Sequence, residues 1–271
     1  MNREILFLFL RKELRDLRGN RQVWPAYLIL SVVAAGLPVL MMALLPVLLD
    51  PARSGNDPAL ALLHDTVAAD PSLVGATPAE RVARLLLRDL GIFYLFIAVI
   101  LASTSAALAL VREKEQRTLE PILATPIRDR DLLLAKLLAS LGPAMLATWA
   151  AALAGTVAGM LGSWWRIGVV ILPTGGNLLG LLFLAPALAA LAALLALRVS
   201  ARFTDVPSAT QFTGLVVVPT ALVMVAIVGR PAMADPLVTL TSAAVVAAIA
   251  AWFFFRSVRR FRREEILTRW R

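Results

Sequence analysis

Long apolar runs alternate with polar segments along the whole chain. Six of the runs reach roughly the 20 residues that a helix needs to cross about 30 Å of hydrocarbon. They lie at about 24–49, 91–111, 132–160, 177–197, 209–228 and 237–255. The pattern predicts an all-α, polytopic membrane protein whose six transmembrane helices form a domain over residues 23–255.

The segments before the first run and after the last run are rich in charged residues. In residues 1–22, leucines and phenylalanines fall on one side of a helical wheel and charged residues on the other. This predicts an amphipathic interfacial (elbow) helix lying along the membrane surface. Residues 256–271 form a basic tail, predicted to be cytoplasmic. At the start of the first span, Trp24 and Tyr27 are expected at the interface, and Pro38 and Pro46 are expected to bend or end the helix.

The longest polar connection, residues 50–90, is predicted to be an external, mostly ordered helical insertion. Thr77-Pro78-Ala79-Glu80 has the spacing of a capping box with proline at the first helical position, which predicts a helix from Pro78 leading into the second span. The connection contains His64, which we expect to be a solvated loop residue rather than a metal ligand. The role of this segment, as an external gate or a partner site, stays open.

Composition agrees with a membrane protein. Hydrophobic residues make up 59% of 271, charged residues 17%, and the mean hydropathy is +0.79. The absence of cysteine excludes disulfides and thiolate chemistry. The net charge of +9 comes from basic residues beside apolar spans, so it indicates membrane orientation rather than nucleic-acid binding.

The distribution of lysine and arginine predicts the orientation. Six spans place both termini and the two charged connections, after spans two and four, on one side of the membrane. Of 27 basic residues, only six fall in or next to the connections on the opposite side, namely Arg53, Arg81, Arg84, Arg88, Arg166 and Arg230. The excess predicts a multi-pass protein of the inner (cytoplasmic) membrane with both termini in the cytoplasm.

The proposed spans contain few groups capable of chemistry. Lys136, near a span end, is the one acidic, basic or histidine residue within them, which disfavours an ion-coupled carrier. The sequence has no phosphate-binding loop of the form GxxxxGK[ST], no HExxH and no GxSxG, so we expect no catalytic residue, metal site or cofactor in this chain. An ion-coupled secondary transporter working without an ATPase, and a membrane-embedded enzyme or assembly factor, remain as alternatives. Gly155 and Gly159 form a GxxxG spacing, weak evidence for close helix approach.

The charged segment between spans two and three, Val111 to Lys136, contains EKEQRTLEPILATP followed by DLLLAK. This string resembles the EKExGTLEPLLATP…ELLLGK pattern of type-2 ABC exporter permeases, including sodium- and drug-efflux-like members. The region after span four and the two charged termini are similar as well, so the resemblance covers most of the chain. Arg117 stands where that pattern has glycine, and arginine lacks the easy positive φ of glycine, so the geometry of the loop stays open.

The resemblance implies a subunit that exports a substrate by alternating access. It implies pairing with a second permease, as a homodimer, and with two cytoplasmic ABC ATPase subunits that bind ATP and Mg. A cytoplasmic coupling helix between spans two and three would contact the ATPase through Glu113, Glu115, Thr118, Leu119 and Glu120, with Arg202 and Asp205 as a second contact. Residues implied to line the path are Ser103, Thr104, Gln211, Thr213 and Thr220, for which helix packing is the ordinary alternative.

Overall fold

Helices account for all the regular structure in the part of the chain that the structure describes. The structure is a computed structural model, and it describes residues 11–12, 15, 23–49, 58–70, 73, 77–115, 129–200, 203, 211, 214, 217–218, 220–222 and 235–260. The helices are α1 (Val23–Leu48), α2 (Pro58–Ala69), α3 (Pro78–Glu115), α4 (Asp129–Ile167), α5 (Gly175–Leu179), a π-helical turn (Gly180–Leu184), α6 (Ala185–Ser200) and α7 (Pro236–Arg260).

Five helical segments among these residues are long and apolar enough to span a membrane. They are Trp24–Leu48, Pro78–Ala109, Arg130–Ile167, Gly175–Ser200 and Pro236–Arg259, which match the first four predicted spans and the last. The predicted fifth span, 209–228, falls mostly outside the described residues. The elbow helix and the coupling segment also fall mostly outside them.

The helix contacts define two ends of the domain. The proximal end is where α1 begins, α3 ends and α4 begins. The distal end carries α2, the start of α3 and the start of α5. Gly175 lies beside Pro236 at the distal end, whereas Arg198 lies over Phe253 at the proximal end. The segment from α5 to α6 and helix α7 therefore run in the same direction.

The core is centred on α3 and α6. In the spanning part of α3 about 67% of the residues are buried, against 22% for α1 and 33% for α7. Leu95 and Leu101 of α3, Leu188 of α6 and Leu184 of the preceding π-helical turn are almost fully buried in one hydrophobic cluster. The alanines of α6 let α3 approach closely, since small side chains permit the short interhelical distances that favour packing in lipid.

Glycines of α4 receive the side chains of two neighbouring helices. A Cβ at Gly155 would collide with the Tyr94 hydroxyl of α3, and a Cβ at Gly162 would lie 3.1 Å from Met42 of α1. A Cβ at Gly159 would lie 3.0 Å from Leu87. The GxxxG spacing thus serves close packing inside this chain.

The fourth span contains a helical irregularity that the sequence reasoning missed. The N–H of Ala185 bonds to the carbonyl of Gly180, five residues back. In the same register Leu181 would accept from residue 186, but Pro186 has no N–H. The indole N–H of Trp149 on α4 donates to that Leu181 carbonyl at 2.9 Å. Proline thus frees an acceptor in the membrane and a neighbouring helix satisfies it.

The insertion before α3 confirms the predicted capping. The N–H of Glu80 donates to Thr77 Oγ1 at 3.2 Å, and α3 runs without interruption from Pro78 into the second span. Helix α2 packs on the distal end, where Val67 joins a cluster with Met42 and Leu45 of α1. His64 lies on this helix and is half-buried, so the expectation of a solvated loop residue was wrong.

Three local features concern the ends of the helices. Helix α1 continues through Pro38 and ends two residues after Pro46, as expected for a proline near a helix end. Tyr27, near the start of α1, is buried, and its hydroxyl bonds to a serine of α3. Gly175 and Gly176 are the first residues of α5. Helix α4 ends before Gly168, whose φ of 72° suits glycine at a helix C-terminus.

Candidate functional site

The proximal end holds the segment for which a coupling role was predicted. Helix α3 ends at Glu115 and α4 begins at Asp129, so the two flank residues 116–128. Glu113 and Glu115 lie on the last turn of α3, although their side chains are not described. The predicted contact residues outside the described part are Thr118, Leu119, Glu120, Arg202 and Asp205.

The flanking helices are firmly packed where they leave this segment. Val111 of α3 and Ala135 of α4 are fully buried, and Lys136 is 3% exposed. Ser140 donates its hydroxyl hydrogen to the Lys136 carbonyl at 2.9 Å. A displacement of the segment between α3 and α4 would therefore be transmitted to packed core residues. Sequence reasoning placed Lys136 at a span end but missed its burial. The position of Lys136 one turn into an apolar run is the feature that indicates this burial.

Arginine–aromatic contacts join α7 to its neighbours at the proximal end. The guanidinium carbon of Arg130, at the start of α4, lies 5.8 Å from the centre of the Phe255 ring. Arg198, in the last turn of α6, lies 5.1 Å from the Phe253 ring centre. Each such cation–π contact contributes about 0.5–1 kcal/mol where exposed. Together they connect α4 and α6 to the last helix beside the predicted coupling segment.

Further from the proximal end, two hydroxyl groups link α1 to α3. Ser105 donates to the Leu101 carbonyl at 2.9 Å, and the Tyr27 and Ser105 oxygens are 2.7 Å apart. Since the serine hydrogen is used on its own helix, Tyr27 is the donor between helices. A buried hydroxyl pair of this kind fixes the rotation of α1 against α3.

The residues predicted to line a path are spread over different environments. Ser103 is fully buried and donates to the Ile100 carbonyl of its own helix at 3.1 Å, as expected for a packing role. Thr104 is half-buried and Gln211 is exposed. Thr220 is 1% exposed, and Thr213 is outside the described residues.

The distal end is held by ion pairs on α3. Arg88, whose side chain is 3% exposed, bonds to Asp70 just beyond α2 at 2.8 Å and approaches Asp89 at 3.4 Å. Arg84 bonds to Glu80 one turn earlier at 2.7 Å. The Asp70 bond ties helix α2 to α3. Sequence reasoning counted these arginines only as charges, and their spacing of four along α3 is the signal that they share a face.

The comparison with known families agrees with this architecture. A family model described as ABC-2 family transporter protein matches residues 8–255, which include every described helix except the last turn of α7. No curated protein matches the chain.

Proposed function

The chain belongs to the ABC-2 family of transporter proteins and is a permease subunit of an ABC transporter; we propose that it exports its substrate by alternating access, driven by two separate ATPase subunits. Family membership implies association with ABC ATPase subunits. ATP and Mg would be bound in those partners, with no cofactor in this chain.

The observation that carries the proposal is the pair of helices flanking residues 116–128. Helices α3 and α4 have 38 and 39 residues, or roughly 57 Å each at 1.5 Å per residue, well beyond the hydrocarbon thickness. Both are packed into the core at the point where they leave the segment. A push on the segment would move α3, and α6 would follow because the two helices pack closely against each other in the core.

We further propose that the segment forms the coupling helix. Its contact residues would be Glu113, Glu115, Thr118, Leu119 and Glu120, with Arg202 and Asp205 in the second connection. Proline at position 121 follows Glu120 and would begin or end a short rigid unit there. Arg117, at the position of the pattern's glycine, favours a continuing helix over a tight turn.

A six-span arrangement is supported by the directions of the helices. The α5–α6 segment ends at the proximal end and α7 starts at the distal end, so the chain passes from one end to the other between Ser200 and Pro236. A span at 209–228 would make that passage. With six spans, the excess of basic residues places both termini in the cytoplasm of an inner-membrane protein.

We propose a homodimer as the working unit. Helix α1 leaves Leu28 and Val32 more than 60% exposed, and α7 exposes Trp252 by 60%. Lipid covers such faces, and a second copy is an alternative cover for one of them. The path-lining residues, with Ser103, Thr104, Gln211, Thr213 and Thr220 as candidates, would then face the partner permease after rearrangement of the present packing.

The test is a charge reversal in the segment, Glu120→Arg, in the full transporter. The expected result is loss of ATPase subunits on mild-detergent purification, or ATP hydrolysis that no longer responds to transport. Asp65→Arg makes the same charge change on the exposed face of α2 and should leave both unchanged. Unaltered assembly and coupled hydrolysis in Glu120→Arg would refute the contact. Transport that continues without ATP and follows an ion gradient would favour a secondary transporter instead.

A further inference from the structure

An open groove of about 360 Å³ lies on the outer face of α7 at the proximal end. The residues that line it are Trp252, Phe255, Arg256 and Arg259. They are spaced by three or four positions, so they share one face of the helix. All four side chains are exposed, Trp252 by 60% and Phe255 by 51%. They belong neither to the predicted coupling residues nor to the predicted path-lining residues.

An aromatic ring of the groove positions one guanidinium without occupying its hydrogen-bond donors. The guanidinium carbon of Arg256 lies 5.6 Å from the centre of the Trp252 ring. Such a contact joins the positive charge to the face of the ring, so N–H groups of the guanidinium remain available to an acceptor. Arg259 follows Arg256 by three residues on the same face, and the two can reach one phosphate group.

The positive charge of the groove is not balanced by its surroundings. Helix α7 contains no Asp or Glu along its length. In the described part of the chain no carboxylate forms an ion pair with Arg256 or Arg259. Arg130 of α4 also reaches Phe255, but its acidic neighbours in sequence offset its charge. The excess therefore rests on Arg256 and Arg259, and it favours an anion.

The same face of α7 continues into the membrane as an apolar stripe. Val245 is 52% and Ile249 39% exposed, and Trp252 and Arg256 follow them at intervals of three and four residues. The stripe belongs to the apolar span Pro236–Arg259. A tryptophan one turn before the arginines that end a span is typical of the membrane–water boundary. A ligand on this face therefore has an anionic end beside an apolar part.

Other occupants match only one part of this face. A second copy related by two-fold symmetry would place the same patch against itself, so that arginine would face arginine. A soluble phosphate or acidic peptide would match the charge and leave Val245 and Ile249 without an apolar partner. A zwitterionic phospholipid would cover the stripe, but its own cation would be repelled by the two guanidiniums. A phospholipid with a net negative headgroup matches both parts.

We propose that the groove binds an anionic phospholipid of the proximal leaflet. Its phosphate accepts hydrogen bonds from Arg256 and Arg259, and an acyl chain lies along Trp252 and Ile249. The site is separate from the coupling segment. It depends neither on the transport proposal nor on which side of the membrane the proximal end occupies.

The first experiment titrates defined lipids into the detergent-purified full-length protein. The probes are phosphatidylglycerol, phosphatidylethanolamine and phosphatidylcholine with the same acyl chains, together with soluble glycerophosphoglycerol. Lipid retention is measured by native mass spectrometry and stabilisation by the shift in melting temperature. The expected result is that phosphatidylglycerol is retained preferentially and gives the largest rise in melting temperature.

Two variants test the arginines, and a third is their matched control. Arg256→Gln and Arg259→Gln should each lower the apparent affinity for phosphatidylglycerol roughly fivefold. Both positions are exposed, so the melting temperature without lipid should change little. Arg166→Gln removes the same charge from an exposed position at the distal end, beside Trp165. It should bind phosphatidylglycerol like the unmodified protein, because charges beyond a Debye length are screened.

A second experiment locates the acyl chain. Phosphatidylglycerol that is brominated near the carboxyl end of its chains quenches the fluorescence of tryptophans that it touches. The expected result is that Trp252→Phe removes a large part of the quenching, whereas Trp165→Phe, at the distal end, does not.

The opposite outcomes contradict the proposal. Equal retention of the three lipids would show that the groove does not distinguish headgroup charge. An equal loss of affinity in Arg166→Gln and Arg256→Gln would show attraction by the overall charge of the protein rather than by the groove. Equal stabilisation by glycerophosphoglycerol would identify a water-soluble ligand, and unchanged quenching in Trp252→Phe would place the chain elsewhere.

Discussion

Replacing Trp149 by Phe should destabilise the membrane domain through a single lost hydrogen bond. The indole N–H donates to the Leu181 carbonyl at 2.9 Å, and Pro186 cannot supply the backbone donor that this carbonyl would otherwise have. Phe keeps an aromatic ring in place but has no donor, so the carbonyl is orphaned where no bulk water reaches it.

The expected loss of stability depends on which other hydrogen-bond donors the Leu181 carbonyl can reach. Hydrogen bonds between membrane helices average about 0.6 kcal/mol and reach about 1.7, while an orphaned buried acceptor costs about 1–3 kcal/mol. Because proline blocks the backbone alternative, we expect a loss of about 1–2 kcal/mol in the free energy of unfolding. The assay is SDS-driven unfolding in mixed micelles, followed by the loss of helical circular dichroism.

Two comparisons isolate the hydrogen bond. Trp165, 80% exposed, is the matched control, and Trp165→Phe should change stability by less than about 0.5 kcal/mol. In a Pro186→Ala background residue 186 has an N–H, and either helical register then gives the Leu181 carbonyl a backbone donor. Trp149→Phe should cost about 1 kcal/mol less there, a coupling that a double-mutant cycle detects. An equal cost in both backgrounds would refute the role given to proline.

Two further predictions concern helix contacts. Gly155→Ala should destabilise the protein by at least about 1 kcal/mol despite the higher helix propensity of alanine, because its Cβ would meet a tyrosine of α3. Gly142→Ala, with open space around it, should stabilise the protein slightly. Thermal unfolding in detergent compares the two variants, and stability changes of the same sign would contradict the packing. Asp70→Asn should expose α2 to faster amide hydrogen exchange by weakening its bond to buried Arg88, and Asp65→Asn on the exposed face should not; unchanged exchange in Asp70→Asn would show that the ion pair does not hold the helix.

The positions of the spans were predictable because lipid leaves few alternatives. Every backbone group in hydrocarbon needs an internal partner, so an apolar run of about 20 residues becomes a helix whatever its neighbours are. The same local logic gave the start of α3, where Thr77 caps the helix. It could not give the partner of Tyr27, because an aromatic residue near a span end has the same pattern whether it faces lipid or a serine on another helix.

The candidate sites were predictable to different degrees. The charged segment between α3 and α4 is recognisable from the sequence because the residues that identify it are contiguous. The close approach of Asn177 to Gly91 was not, because the two residues are distant in sequence and neither is unusual alone. The pairing of Trp149 with Leu181 was hidden for the same reason, although a proline inside an apolar run signals that some carbonyl lacks its donor.

By itself the sequence determined the helical class, the approximate spans and the place of the charged segment, because hydrophobicity and capping act over a few neighbouring residues. The tertiary structure alone decided that α3 and α6 form the centre, that the glycines of α4 pack inside the chain, and that Asn177 of α5 is buried against Gly91 of α3. Those features depend on which side chains from separate helices come within a few ångströms, and in lipid that choice follows steric fit and hydrogen-bond partners rather than hydrophobicity.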